Sequence, residues 1–321
     1  MTTALSAPSM TSPEGDDINH DSEPTFRVKR KLPPLGLLFG VTWLVVLTLV
    51  TILATYFPDL VPFIRSYDAK VTVGGRAKQY GMGPGWTAWF GTDASSKDVF
   101  ARCIYGARIT LLIGTGATAI GIIVGGGLGI ISGYFRGWTD RIVSIVTDGL
   151  LALPALLLAM IMVTRLDALK GTIGWLSWAD RTWQITITLG ILAIAPLARI
   201  VRAQTISLRE REFVLASRSL GAGKWRIMWK EIMPNLVPAM VTVAFTGLGI
   251  LVAAEGALAF LGLSVERPQT WGKMIDAARD RIGDAWWATV FPCLMLFLTV
   301  FAFNLIGDEM ARRFDIREAA V

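Results

Sequence analysis

The chain has 321 residues, of which 53% are hydrophobic and 17% are charged, and its formal net charge is +6. This composition indicates an integral membrane protein. Histidine occurs once, as His20 near the start of the chain, which argues against histidine-based metal sites and Ser-His or Cys-His catalysis. The basic residues lie at the ends of apolar stretches, as membrane topology requires, so the positive charge does not indicate a nucleic-acid partner.

The first 34 residues are rich in Ser, Thr, Pro, Asp and Glu and end in a basic cluster. We predict that 1–34 is a disordered cytoplasmic tail. The apolar run that follows is too long for a signal peptide and has no small-residue cleavage site after it, so we expect a retained first helix at 35–57. The basic flank before this helix favours a cytoplasmic N-terminus.

Six apolar stretches are long enough, or nearly so, to cross a hydrocarbon core of about 30 Å. They lie near residues 35–57, 107–134, 140–165, 183–204, 236–262 and 285–307. Since unpaired backbone groups are costly in lipid and no stretch alternates like a barrel strand, the sequence predicts an all-α membrane protein with six transmembrane helices. An even number of spans also returns the C-terminus to the cytoplasm.

This topology divides the chain into a first helix, an outer segment, a core and a tail. The outer, extracytoplasmic segment is 58–106, the core of five helices is 107–308, and the cytoplasmic tail is 309–321. The core contains a cytoplasmic loop at 207–235 and an extracytoplasmic loop at 263–284. Cys103 and Cys293 are expected to be thiols, although the spacing leaves a single bond between them open.

Glycines repeat every four residues along the second span, at Gly121, Gly125, Gly129 and Gly133. Residues at this spacing share one helix face, and a glycine face permits close backbone contact with another helix. The neighbouring helix could belong to the same chain or to a partner subunit.

Nucleotide-binding signals in the sequence do not have the required context. The run GTGATA at 114–119 fits a loose dinucleotide pattern, but it lies inside an apolar helix with no strand before it. No GxxxxGK(S/T) phosphate loop occurs. We therefore expect this chain to bind no cofactor, and any ATP and Mg²⁺ would be bound by another polypeptide.

Two acidic residues, Asp148 and Glu255, fall within the third and fifth predicted spans. Burying an ionisable residue in a membrane costs free energy, so such a residue suggests a functional role. Each could make a structural hydrogen bond to a neighbouring helix, contact a transported solute or relay protons.

A charged segment at 209–235 separates two apolar spans. Gly221 can end a first short helix there, because glycine adopts the left-handed conformation of a helix C-cap without steric cost. Pro234 opens the next span, where its missing N–H is tolerated. After Gly221 an apolar stripe at helical spacing predicts a second short helix. Its members are Trp225, Met228, Trp229 and Ile232.

Four blocks of this sequence resemble the permease subunits of binding-protein-dependent ABC importers, most closely the C-type subunit of the dipeptide, oligopeptide and nickel group. The blocks are FGTDASSKDVFARCIYGARITLLIG at 90–114, PLARIVRAQTISLREREFVLASRSLGAGKWRIMWKEIMPN at 196–235, EGALAFLGLSVERPQTWGKMI at 255–275 and WWATVFPCLMLFLTVFAFNLIGDEMARRFD at 286–315. The second block is similar to the cytoplasmic EAA loop of that family. The likeness covers residues 35–317 in order.

This resemblance implies a non-catalytic subunit that forms the translocation path together with a related second permease, as a heterodimer in the plasma or inner membrane of a bacterial or archaeal type of cell. One or two cytoplasmic ATPase subunits would hydrolyse ATP, and an extracytoplasmic binding protein would deliver the solute. The EAA loop would insert a bent helix pair into the ATPase. The residues that match this coupling role are Glu212, Ala216, Ser217, Gly221, Trp225, Met228, Trp229 and Pro234.

The sequence departs from the family pattern at a few positions of these blocks. Leu215 stands where the strict EAA pattern has Glu, and Ser217 stands where it has the second Ala. In the first block Ser96 and Lys97 replace the usual Gly and Arg. The changes at the outer face leave the solute open among dipeptides, oligopeptides, glutathione-like peptides, nickel complexes and other small solutes.

Two other classes of function stay open on the sequence. A secondary transporter driven by an ion gradient would use Asp148 and Glu255 as ion carriers. If the protein were a membrane scaffold that transports nothing, its deletion would leave solute uptake by the cell intact.

Overall fold

A computed structural model describes residues 35–73, 76–77, 82–172 and 178–318. The predicted tail at 1–34 and the last three residues lie outside this part of the chain. The helices are α1 Leu35–Tyr56, α2 Val99–Ile120, α3 Gly127–Phe135, α4 Gly137–Ala152, α5 Ala155–Thr172, α6 Arg181–Arg209, α7 Glu212–Ser219, α8 Lys224–Ile227, α9 Met233–Phe260, α10 Trp271–Ala278 and α11 Trp287–Glu318. Two antiparallel strands of two residues each, β1 Thr72–Val73 and β2 Arg76–Ala77, lie between α1 and α2.

Wide π turns join two pairs of these helices without interrupting them. The turn Gly121–Gly126 links α2 to α3, and the turn Met228–Ile232 links α8 to α9. The resulting helices run over Val99–Phe135 and Lys224–Phe260, each 37 residues long.

Five helices of the described chain are long and apolar enough to span a membrane, and a sixth span is present if the bent pair α4 and α5 is counted as one. The five are Leu35–Tyr56, Val99–Phe135, Arg181–Arg209, Lys224–Phe260 and Trp287–Phe314. The predicted all-helical membrane fold is thereby confirmed, with the two short strands as its one addition in the described residues.

The third span, predicted as one continuous stretch at 140–165, is broken. Helices α4 and α5 meet at an angle of 96°. Leu153 is extended at the break, and Pro154 follows it. Proline has no N–H to donate and disfavours a helical conformation in the residue before it, so it accounts for the break. Pro154 was the signal in the sequence that could have identified it.

The ends of three helices also differ from the predicted ranges. Helix α2 begins at Val99, where the Asp98 carboxylate accepts a hydrogen bond from the Phe100 N–H at 2.8 Å. The expected second loop helix is the start of the long helix that contains α9. Helix α11 continues to Glu318, so the expected tail is helical over most of its length. In each case the helix continues beyond the apolar stretch from which the span was predicted.

The segment between α1 and α2 packs on the start of α11, where the Trp287 indole donates to the Thr92 carbonyl at 3.1 Å. Helix α10 is joined to α2, since the buried Trp271 indole donates to the Cys103 carbonyl at 2.8 Å. Asp98 is buried at this junction, and its burial raises the pKa of that carboxyl above its usual value. Both cysteines are thiols, with Cys103 buried and Cys293 exposed.

Helix α6 lies at the centre of the core, against α2, α3, α4, α5 and α9. The glycine face of the second span packs directly on its backbone. A Cβ atom at Gly125 would lie 2.6 Å from the Ile194 carbonyl oxygen, and one at Gly129 would lie 2.6 Å from the Ala198 carbonyl oxygen. The structure thus sets the glycine face against a helix of the same chain.

The two flanking glycines continue this contact along α6. A Cβ at Gly121 would lie 2.6 Å from Leu197 Cδ1, and a Cβ at Gly133 would lie 2.8 Å from the Arg202 carbonyl oxygen. A side chain at Gly133 would separate the two helices, since the carbonyl that it meets cannot move aside as a flexible side chain can, whereas the nearest atom at Gly121 belongs to the Leu197 side chain.

Gly129→Ala is expected to destabilise the protein by about 1–3 kcal/mol, the usual cost of overpacking. Gly127→Ala is the matched control, because a Cβ at Gly127 has no atom within 4 Å. The thermal midpoint of the purified protein in detergent, followed by fluorescence-detected size exclusion, should fall for Gly129→Ala only. Equal midpoints for the two variants would contradict the close packing.

Candidate functional site

The connection between α6 and α9 begins where α6 ends at Arg209. Glu210 follows, and its carboxylate accepts from the Arg136 guanidinium at 2.8 Å, which ties the start of the connection to the end of α3. Helix α7 then runs over Glu212–Ser219. Arg211 precedes α7 as an extended residue, so the chain turns sharply between α6 and α7.

A turn at Gly221 separates α7 from α8. Gly221 has φ +81, and no atom lies within 4 Å of its Cβ direction, so the requirement for glycine there is conformational and not steric. The Ala222 N–H donates to the Ser217 carbonyl at 3.1 Å, and the Gly221 N–H donates to the Arg218 carbonyl at 3.0 Å. These bonds satisfy carbonyls at the end of α7.

The predicted stripe after Gly221 is divided between the interior and the surface. Met228 and Ile232 are buried, whereas Trp225 and Trp229 are 60% and 55% exposed. The buried residues join a cluster that the stripe did not reveal. Its members are Ile130, Tyr134, Val201, Val214, Ile227, Met228, Ile232 and Leu236. This cluster fixes the connection against the ends of α3 and α6.

The exposed side of the connection carries an unusual number of large apolar side chains. We call these residues the coupling surface: Phe213, Leu215, Leu220, Trp225 and Trp229. Exposed apolar patches mark contact sites when they lie outside the lipid. The basic side chains of 211–230 surround them in the sequence.

The other predicted residues of this region lie beside the coupling surface. Glu212 is exposed in the first turn of α7, Ala216 is exposed and Ser217 is half-buried. Pro234 lies inside the continuous helix, directly after the π turn. A wide turn accommodates the proline because it changes which N–H groups need partners. Phe213, Leu215 and Leu220 were not predicted as site residues, and their exposure in the fold adds them to the site.

Asp148 forms an ion pair between α4 and α6. Its carboxylate lies 2.6 Å from the Arg199 guanidinium, and both side chains are about 60% exposed. Three residues further along α6 and eight residues back along α4, Arg202 contacts both carboxylate oxygens of Asp140, one of them at 2.7 Å. A cavity of about 190 Å³ lies beside these pairs, lined by α4 from Val143 to Asp148 and by α6.

Glu255 lies elsewhere and is fully buried. Its carboxyl accepts a hydrogen bond from the Ser264 hydroxyl at 3.3 Å, and that hydroxyl lies 3.0 Å from the Thr270 hydroxyl. The structure therefore places the two intramembrane acids with different partners. Glu255 connects α9 to the loop before α10. Among the described residues no group of three or more His, Cys, Asp or Glu could hold a metal ion.

Comparison with known proteins gives one family. Residues 125–318 match the family described as the inner membrane component of binding-protein-dependent transport systems. The chain is 36% identical over 236 residues to the dipeptide transport system permease protein DppC of Alkalihalophilus pseudofirmus, covering 73% of each chain. It is 34% identical over 234 residues to the glutathione transport system permease protein GsiD of Pectobacterium atrosepticum, covering 73% of this chain and 74% of that protein.

A solved structure shares the fold. It is an inward-facing conformation of the MetNI methionine ABC transporter, and the similarity has a TM-score of 0.55 at 20% identity. The match covers 68% of this chain and 99% of that chain. At this identity the likeness concerns the fold alone.

Gly221→Ala is expected to destabilise the turn by about 1–2 kcal/mol, because an L side chain is strained at positive φ. Gly223→Ala is the control, since Gly223 has φ −67 and open space around it. Hydrogen exchange of the amides in 212–232 should become faster in Gly221→Ala and stay at the wild-type rate in Gly223→Ala. Unchanged exchange in both variants would contradict the requirement for glycine.

Proposed function

Because this chain belongs to the family of inner membrane components of binding-protein-dependent transport systems, and so is the permease of an ABC importer, we propose that its solutes are short peptides. The observation that supports this choice is its similarity to a dipeptide permease and a glutathione permease, each over 73% of the chain. Both named solutes are small peptides with a free carboxylate.

The proposed complex contains a second, related permease as a heterodimer partner. Helices α4 and α5 expose large apolar residues along most of their length, which suits a surface covered by another membrane protein or by lipid. Examples are Ile142, Ile145, Leu157 and Ile161. The two permeases would enclose the path between them, and an extracytoplasmic binding protein would deliver the peptide.

The coupling surface is proposed to contact a cytoplasmic ATPase, which binds ATP and Mg²⁺. In this arrangement Trp225 and Trp229 insert into the ATPase, while Met228 holds the connection on the membrane helices. Glu212, Ala216 and Ser217 present α7, and Gly221 fixes the angle between α7 and α8. ATP binding would bring two ATPase subunits together and rock the attached helices, so the hydrolysis belongs to the complex and this chain is not itself catalytic.

The proposed topology places the coupling surface and both termini in the cytoplasm. The segment before α2 and the loop that carries α10 then face the outside. This assignment keeps the basic connection at 209–230 on the side where positive residues are retained. Transport driven by an ion gradient has no support from the family, whose members depend on binding proteins.

A double variant, Trp225→Ser with Trp229→Ser, is expected to weaken ATPase binding by about 30-fold or more, since buried tryptophans dominate interface energies. Both indoles are exposed in the isolated chain, so its thermal midpoint should change little. Trp178→Ser removes an indole that is equally exposed, at 56%, just before the start of α6. Copurification of the ATPase should be lost in the double variant and kept in Trp178→Ser. ATPase binding at the wild-type level in the double variant would contradict the assignment of the coupling surface.

Dipeptides are expected to stimulate ATP hydrolysis by the complete complex in proteoliposomes when the binding protein is present. Peptide uptake should stop when ATP is withheld. Uptake that survives without ATP but disappears with the proton gradient would contradict ATP-driven import. Stimulation by nickel complexes and not by peptides would contradict the proposed solute.

A further inference from the structure

Three ion pairs connect α6 and its end to the start of the broken third span. In order along α6 toward its N-terminus they are Arg136 with Glu210, Arg202 with Asp140, and Arg199 with Asp148. Arg199 lies ten residues before the end of α6, and Asp148 lies eleven residues after the start of α4. At 1.5 Å per residue both positions lie about 15 Å along the helices from these ends, inside the predicted spans 183–204 and 140–165.

The innermost pair differs from its neighbour in shielding. The Arg202 and Asp140 side chains are 34% and 20% exposed, whereas those of Arg199 and Asp148 are 61% and 59% exposed. Charged side chains at this depth are costly in lipid and normally face a water-filled cavity or another protein. The cavity beside the pair supplies such a space, because two turns of α4 and the side of α6 line it.

The two pairs also differ in geometry. Arg202 contacts both oxygens of Asp140 through Nε and Nη2, a two-point arrangement that fixes the orientation of the guanidinium. Arg199 contacts Asp148 through one nitrogen and one oxygen, at 2.6 Å. A single contact leaves donors of Arg199 available to a second carboxylate. The Arg202 pair therefore suits a fixed brace between the helices, and the Arg199 pair suits exchange with a ligand.

We propose that Arg199 and Asp148 form a binding point for zwitterionic solutes inside the translocation path. The Arg199 guanidinium binds the carboxylate of a peptide, and Asp148 receives its ammonium group. The inference rests on the proposed import of peptides and adds the residues that meet them within the membrane. When the peptide leaves, the two side chains pair again, so neither charge stays uncompensated. Weak and reversible binding of this kind suits a conducting path.

The test measures how a dipeptide protects the cavity in the whole complex, held in lipid nanodiscs without the binding protein. Ser144→Cys places a thiol on the cavity wall, in a Cys293→Ser background that removes the exposed native thiol. The thiol is labelled with a membrane-impermeant maleimide. At ten times the half-saturating concentration, alanyl-alanine should slow labelling about tenfold, because only empty sites react. Alanyl-alanine amide, which lacks the carboxylate, should slow it little.

Two further variants connect protection to the named residues. Adding Arg199→Gln should raise the half-saturating concentration about tenfold or more, the effect of losing one charge-assisted hydrogen bond, whereas Arg199→Lys should keep most of the protection. Val146→Cys lies on the opposite face of α4 and should show no dependence on dipeptide. Equal protection by the amide, or full protection in Arg199→Gln, would overturn the proposal.

A separate measurement keeps this inference apart from the proposed function. Wild-type complex with its binding protein in proteoliposomes should take up dipeptide, and Arg199→Gln should take up less per ATP hydrolysed. If wild type takes up no peptide at all, the proposed solute fails. If wild type takes up peptide and Arg199→Gln keeps the same ratio of uptake to hydrolysis, the binding point fails while the proposed solute stands.

Discussion

The close backbone contact between the glycine face of the second span and α6 is the constraint on which the rest of the structure depends. At Gly125 and Gly129 a single added carbon would lie 2.6 Å from a carbonyl oxygen of α6. In lipid the apolar effect does not drive helices together, so such close packing is a main source of their association. It fixes α6 at the centre of the core, and α6 in turn positions both the ion pairs of the membrane interior and the connection that follows it.

One side of the connection after α6 packs on the membrane helices, and its exposed side carries large apolar residues. Val214, Ile227 and Met228 are buried in one cluster with the end of α3, while Trp225 and Trp229 remain exposed. Because α8 continues into α9 through the π turn at Met228–Ile232, Trp225 and Trp229 of the coupling surface lie at the start of a 37-residue helix. A force applied at this surface would act directly on a membrane-spanning helix, which is what the proposed coupling to an ATPase needs.

The polar groups of the predicted spans differ in how completely they are paired. Glu255 is buried and accepts a hydrogen bond from Ser264, and Arg202 contacts both carboxylate oxygens of Asp140. The Arg202 pair compensates its two charges, and both contacts join separate elements of the fold. Arg199 and Asp148 have a single contact and an open side. The inferred role for this pair in meeting a solute follows from that difference and from the adjoining cavity.

By itself the sequence determined the class of the protein, its spans, the shared face of the glycines and the family, since each depends on local composition, spacing or a run of motif residues. Pro154 carried the signal for the broken span as well. Only the tertiary structure decided that Met228 faces inward while Trp225 faces outward, and that Asp148 meets Arg199. Helical spacing tells which residues share a face, but which face is buried depends on helices distant in the chain. For the same reason the partner of a lone charge is set by helix packing and cannot be read from its own segment.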